Sequence, residues 1–227
     1  MSGLFDIGAI VYDGEKYTVG GVPEGFMDPN SVTWKAISKT DDSLDSLIPD
    51  FGDNKIVLHI PSTNDKGEPL KEVADSAFGG GKIPFPLGLV FPDSIEKIGN
   101  SAFEDNQLTE IHIPGGLVEI GNSAFRNNQI TSLFLPDSLT SIGDYAFTDN
   151  QLTSLDLPES LTSIGEWAFD GNPITSVVIP DSVTSIGDYV FINNPLTEVS
   201  IGPNTTYGSS TFPDSAVITV REEVGGD

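Results

Sequence analysis

The chain has no cysteine in its 227 residues. Disulfides, thiol nucleophiles and cysteine-based zinc sites are therefore excluded, while the redox compartment stays open. Histidine is nearly missing as well: the only two, His59 and His112, fall at equivalent repeat positions two repeats apart. That is about 10 Å if each repeat advances one strand spacing, too far to share a zinc ion. Basic residues are scarce, 10 Lys and Arg against 34 Asp and Glu, for a formal charge of -24. Such a field repels phosphate and argues against nucleic acid or an anionic membrane as partner. It also suits a protein kept soluble by like charge. No apolar run approaches the roughly 18 residues needed to span a bilayer. Met1–Ile7 brings no basic segment and carries Asp6 where a signal peptide is apolar. The expectation is a chain not exported by that route, or one trimmed at its N-terminus. Gly79-Gly80-Gly81-Lys82 lacks the spacing of a phosphate-cradling loop. No Ser-His-acid set stands out, so the residues point to neither a catalytic site nor a cofactor.

What the chain does have is a repeat. The pair Ile-Gly recurs at Ile98-Gly99, Ile120-Gly121, Ile142-Gly143, Ile164-Gly165 and Ile186-Gly187, a constant step of 22 residues, and a step of that size marks a stack of coils. Within a unit the period changes. Leu152-x-x-Leu155-x-Leu157 alternates like a half-buried strand, whereas Ile164-x-x-x-Ala168-Phe169 has helical or 3-10 spacing. One unit is thus read as a strand, a turn, a tight helical piece and a return. Gly143 and its copies permit an unusual backbone angle or a close approach. Phe103, Phe125, Phe147, Phe169 and Phe191 should stack as an apolar spine. Asn106, Asn128, Asn150, Asn172 and Asn194 form a column read as inward amides that bond their own coil and a neighbouring one, against the alternative of exposed turn-formers. About seven or eight coils at 4.8 Å would span roughly 30–35 Å.

Three segments follow. Residues 1–54 escape the repeat, with a hairpin signal where Asp13-Gly14-Glu15 separates Ala9–Tyr12 from Lys16–Val19, and a strand-like run Ser31–Ile37; they are read as an N-terminal cap. Residues 55–212 carry the repeat. Residues 213–227 are read as a closing strand, Ala216–Val220, and a polar tail.

The unit Leu-x-x-Leu-x-Leu-Pro-x-x-Leu-x-x-Ile-Gly-x-x-Ala-Phe-x-x-Asn resembles the bacterial BspA-like leucine-rich repeats over about residues 55–212. The resemblance implies a right-handed α/β solenoid with parallel strands on one side and short helical or 3-10 segments opposite. It also implies a non-catalytic role in adhesion or protein binding outside the cell or at its surface.

Candidate binding residues come from positions where the copies disagree. Strand alternation puts Glu110 and His112, Ser132 and Phe134, Ser154 and Asp156, Ser176 and Val178, Glu198 and Ser200 on the outer strand face. Such faces are the usual binding surface of solenoids. Phe134 and Val178 stand out as apolar residues among serines, although single exposed apolar residues are common on any protein. The partner-binding set is therefore His112, Phe134, Asp156, Val178, Glu110 and Glu198. A second column, Tyr145, Trp167 and Tyr189, is read either as a subunit interface of a surface-coat or virion component, or as internal packing. Beside it Asp144, Glu166 and Asp188 form an acidic column, either a solvated face or a weak calcium site.

Overall fold

The computed structural model describes residues 10–12, 16–19, 37–38, 57–60, 62–63, 68–81 and 87–222. The Asp13-Gly14-Glu15 turn, most of Ser31–Ile37 and the tail after 222 lie outside them. Fifteen strands are present among the described residues, and no helix. Three, β1 (Ile10–Tyr12), β2 (Lys16–Val19) and β3 (Ile37–Ser38), form an antiparallel sheet of their own. Tyr12 is in register with Tyr17, the hairpin geometry expected of this segment.

The other strands come from the repeat in two series. The first is the Leu-rich series: β4 (Val57–His59), β6 (Leu87–Val90), β8 (Leu108–His112), β12 (Ser176–Val178), β14 (Glu198–Ile201) and β15 (Val217–Val220). The second is the Ile-Gly series: β5 (Glu72–Val73), β7 (Lys97–Ile98), β9 (Glu119–Ile120), β10 (Ser141–Ile142), β11 (Ser163–Ile164) and β13 (Ser185–Ile186). The Ile-Gly series makes one uninterrupted six-stranded parallel sheet in the order β13-β11-β10-β9-β7-β5, with Ile142 opposite Ile120 and Ile164. Six coils are stacked through this sheet, and a single parallel bridge from Ser185 to Thr206 extends it to the next coil. The Leu-rich series is broken into β4-β6-β8 and β12-β14-β15. Between them only the bridge Phe134 to Asp156 survives. The two middle coils have Leu133 and Leu155 where β8 has Ile111 and β12 has Val177, and leucine fits a pleated ladder less well than a β-branched residue.

Where Ile164-x-x-x-Ala168 spacing predicts a helical piece, the structure has two successive turns. The Ala146 N–H donates to the Gly143 carbonyl at 3.4 Å and the Thr148 N–H to the Tyr145 carbonyl at 3.2 Å. Between these turns Tyr145 sits at φ 58, as do its counterparts Ser101, Ser123, Trp167 and Tyr189 at φ 50 to 62. A left-handed residue in each coil ends any right-handed helix. It also aims alternate N–H groups along the stack: those of Tyr145, Phe147 and Asp149 reach the carbonyls of Glu166, Ala168 and Asp170 at 2.8, 2.8 and 2.9 Å. The turns therefore continue the inter-coil ladder that a helix would have closed upon itself.

Two columns fill the interior. The phenylalanine spine runs through Phe78, Phe103, Phe125, Phe147, Phe169, Phe191 and Phe212, rings parallel within 3° to 12° and centroids 5.0 to 5.7 Å apart. The asparagine column is buried. Asn150 Nδ2 donates to the Phe125 carbonyl of the preceding coil at 2.9 Å and to its own coil's Phe147 carbonyl at 3.1 Å. Its Oδ1 accepts from the Ile130 N–H at 3.1 Å. Asn128 and Asn172 repeat the pattern, so each amide satisfies backbone groups that the turn leaves unpaired.

The glycine of Ile-Gly is required by close approach. A Cβ on Gly143 would lie 2.5 Å from Asn122 Oδ1 and 2.6 Å from the Asn122 nitrogen. Gly121, Gly165 and Gly187 meet the preceding coil in the same way.

Candidate functional site: a groove on the Leu-rich face

The outer face of the Leu-rich series bears a groove of ≈ 870 Å³ over four consecutive coils. Its positions are set by alternation: Leu155, Val177 and Val199 turn inward and are buried, so Asp156, Val178 and Glu198 must turn out. Ser176, Val177 and Val178 pair with Glu198, Val199 and Ser200, and β15 continues the register with Val217 opposite Glu198 and Thr219 opposite Ser200. Three of the residues expected to bind, Asp156, Val178 and Glu198, line this one groove. Phe134 is bridged to Asp156 at its margin and is 78% exposed; Val178 is 60% exposed. Glu110 and His112 are elsewhere: they belong to β8, opposite Gly88 and Val90, and are half-buried. Val90, in register with His112, is itself buried at 4% exposure. His59 and His112 each pair with Val90, which places them two strands apart as their spacing implied.

The groove also contains Glu159, Thr197, Val217 and Thr219, which the outer-face positions named from sequence left out. Val217 and Thr219 follow from extending the alternation one coil further. Glu159 stands just after the strand-ending Pro158, outside the alternating window. The groove's charged lining residues are Asp156, Glu159 and Glu198, with no Lys, Arg or His among them. Arg221, at the end of β15, is held elsewhere: it donates to Ser200 Oγ at 3.0 Å, to the Ile179 carbonyl and to Asp181. It straps three coils together beside the groove.

The aromatic column has a different character. Tyr145 and Trp167 stack at 6.1 Å and 5°, Trp167 and Tyr189 at 4.4 Å and 18°. Arg126 Cζ lies 5.7 Å from the Tyr145 ring centroid, over the ring. The ring faces are thus largely occupied within the chain, and the Tyr edges are what solvent meets.

The acidic column is also a piece of structure. Asp144 Oδ1 accepts the Glu166 N–H at 2.8 Å, Asn122 Oδ1 the Asp144 N–H at 2.9 Å and Asn100 Oδ1 the Asn122 N–H at 2.9 Å. Asp and Asn at this position tie each coil to the next by a side chain to backbone bond, which a charge count does not reveal. Among the described residues no group of three or more His, Asp or Glu side chains is placed to hold a metal ion, so Asp144, Glu166 and Asp188 do not form the calcium site considered from sequence. One acid outside this column is buried: Asp170, whose carboxyl is pushed above its ordinary value by burial, opposed by the Asn193 N–H and Nδ2, which donate to Oδ1 at 3.1 and 2.8 Å.

Among solved structures, the chain is similar to the pneumococcal vaccine antigen PcpA, with a TM-score of 0.58 and 22% identity over 87% of this chain and 51% of that one. A leucine-rich repeat protein from Eubacterium ventriosum aligns at a TM-score of 0.48 and 20% identity, over 57% of this chain and 39% of that one. A leucine-rich repeat protein of T. pallidum aligns at 0.42 and 25%, over 73% of each chain. The chain therefore spans about half the length, or less, of the first two. No curated protein matches the chain in sequence. The model of the BspA type leucine-rich repeat region matches residues 71–198 and 118–221 in six copies. With a parallel six-coil stack and a family match over most of its length, the chain belongs to the BspA type leucine-rich repeat family.

Proposed function

We propose that this chain is a non-catalytic protein-binding module, acting in adhesion at a bacterial cell surface through the outer face of the Leu-rich strands. The observation that carries the reading is the exposure of Phe134 and Val178, at 78% and 60%, on either side of Asp156 at the groove on the Leu-rich face. Large apolar side chains held on a pre-organised face lose little freedom on binding. Family membership favours the surface setting. In the same reading residues 1–54 shield the first coil, residues 55–212 form the binding solenoid and residues 213–227 close the far end. Assembly through Tyr145, Trp167 and Tyr189 is the weaker reading, since those rings stack on one another.

The test is the double variant Phe134→Asp and Val178→Asp. Both side chains are exposed, so circular dichroism and melting should match the parent. Capture of proteins from a host-surface extract should be lost. Capture equal to the parent's would refute the proposal.

A further inference from the structure

The aromatic column is finished differently at its two ends. Arg126, from the coil before, lies over one face of Tyr145, its Cζ 5.7 Å from the ring centroid; Trp167, from the coil after, stacks on Tyr145 and on one face of Tyr189. The far face of Tyr189 looks toward the next coil, which has Ser209-Ser210-Thr211 where another aromatic would continue the column. There the Tyr189 N–H donates to the Ser210 carbonyl at 3.1 Å. Thr211 is buried, its Oγ1 donating to the Gly187 carbonyl at 3.0 Å. Among the described residues neither a ring nor a cation lies over that face of Tyr189, which is 37% exposed. We propose that the free face of Tyr189 receives an arginine side chain of a partner protein, stacked as Arg126 is stacked on Tyr145. The site shares no residue with the groove and goes beyond the strand-face reading.

The neighbouring carboxylates fix the sign of the guest. Asp144 Oδ1 accepts the Glu166 N–H. At the next junction the repeat is one residue shorter, Thr206 being the partner of Ser185, and no N–H among the described residues engages the corresponding carboxylate of Asp188. Its Oδ1 lies 2.0 Å from where a Cβ on Gly208 would stand, against the coil that the free face of Tyr189 looks toward. Among the described solenoid residues Lys71, Lys97, Arg126 and Arg221 are held in ion pairs with Glu96, Glu119, Glu104 and Asp181, so none of these cations reaches Asp188. Arg126 shows the arrangement already built once: its guanidinium lies over Tyr145 while Nη1 stands 3.3 Å from Glu104 Oε1. Tyr189 with Asp188 offers the same two partners, a ring face and a carboxylate, to a guanidinium from outside. A cation within about 6 Å of a ring centroid is attracted by the ring, and the planar guanidinium adds stacking and a forked set of donors that an ammonium lacks. The chain's charge of -24 draws a basic partner toward it.

The probe is arginine blocked as its N-acetyl methylamide, which mimics a residue within a protein, titrated into the full isotope-labelled chain and followed by backbone amide resonances. Three controls accompany it: blocked lysine, blocked citrulline, which keeps the plane without the charge, and free arginine, whose own carboxylate Asp188 repels. Saturable shifts confined to residues 187–189 and 208–211 are expected, with an affinity at least about threefold above that for blocked lysine and for free arginine, and none with citrulline. Tyr189→Phe keeps the ring and should bind as the parent does. Tyr189→Ser and Asp188→Asn should each weaken binding at least about threefold, as should salt at about 0.5 M. Asp188→Asn leaves the ring stack in place, so its melting temperature should not change and its loss of binding is not a loss of fold. Shifts that spread over the acidic surface without saturating, equal binding of citrulline or free arginine, or undiminished binding by Tyr189→Ser or Asp188→Asn overturns the proposal. The groove variant Phe134→Asp with Val178→Asp should bind the probe as the parent does; lost binding there would place the probe in the groove and overturn it too.

Discussion

Replacing Asn150 by alanine tests whether the buried amide column holds the coils together. In the native chain Asn150 Oδ1 accepts the Ile130 N–H at 3.1 Å, and Nδ2 donates to the carbonyls of Phe125 and Phe147 at 2.9 and 3.1 Å. Alanine leaves the Ile130 N–H buried without its acceptor, at about 1–3 kcal/mol, and removes two further bonds worth about 0.5–1.5 kcal/mol each. The sum, about 2–6 kcal/mol, is a large part of a total of about 5–15 kcal/mol. In urea the midpoint should fall by roughly 1–2 M at unchanged slope. The shared carbonyl sharpens the test. Phe125 oxygen receives both Asn150 Nδ2 and Asn128 Nδ2, the latter at 3.1 Å. Either single variant leaves it one donor and the double leaves it none. Asn128→Ala with Asn150→Ala should therefore exceed the sum of the singles by on the order of 1 kcal/mol. Asn150 and Asn194 share no carbonyl, Asn194 donating to Phe169 oxygen, so that pair should add. A loss below about 0.5 kcal/mol for Asn150→Ala, typical of a surface site, or equal coupling in both pairs, would refute the reasoning.

Gly143→Ala should destabilise by about 1–3 kcal/mol or more, because its Cβ would meet backbone atoms of the preceding coil that cannot rotate aside; Gly115→Ala, with nothing within 4 Å, should stay within about 0.5 kcal/mol in the same urea titration. Asp170 gives a pH test. Its folded value lies above the ordinary 3.8, so the stability it contributes is fully present below that pH and is lost as pH rises through the raised value. Asp170→Asn keeps an acceptor for Asn193 and removes the charge. Its stability relative to the parent should therefore increase from pH 3.5 to pH 7, and parallel curves would show that burial does not strain the carboxylate.

Much of the fold can be read from the spacing of a few residue types. Ile-Gly every 22 residues specifies the stack, and Phe and Asn at fixed offsets specify columns that structure and sequence place alike. The turn segment is open in sequence because Ile164 and Ala168, four apart, come together in one helical turn or in two consecutive turns. The left-handed residue that decides between them is Ser in the earlier coils and Tyr or Trp in the later ones, so residue type does not announce it. Glycine was open between two reasons, and only the distance from Gly143 to the coil before it chose close approach.

The candidate site divides in the same way. Alternation within a coil is a local property of a strand, so Phe134, Asp156, Val178 and Glu198 were recognised as outward from sequence. Which outward residues share a groove depends on how coils stand beside one another. That relation put Asp156, Val178 and Glu198 with Glu159 and Val217, and left Glu110 and His112 on another sheet. The acidic column shows the limit most clearly. By composition Asp144 is one of 34 acids; by position its carboxylate holds the backbone of the next coil. Sequence alone determined the repeat, the inward columns and the sign of the charge, because each is carried by residue identity and spacing along one chain. The turn geometry, the membership of the groove and the role of the Asp and Asn ladder belong to contacts between coils 22 residues apart, and those exist only once the stack has formed.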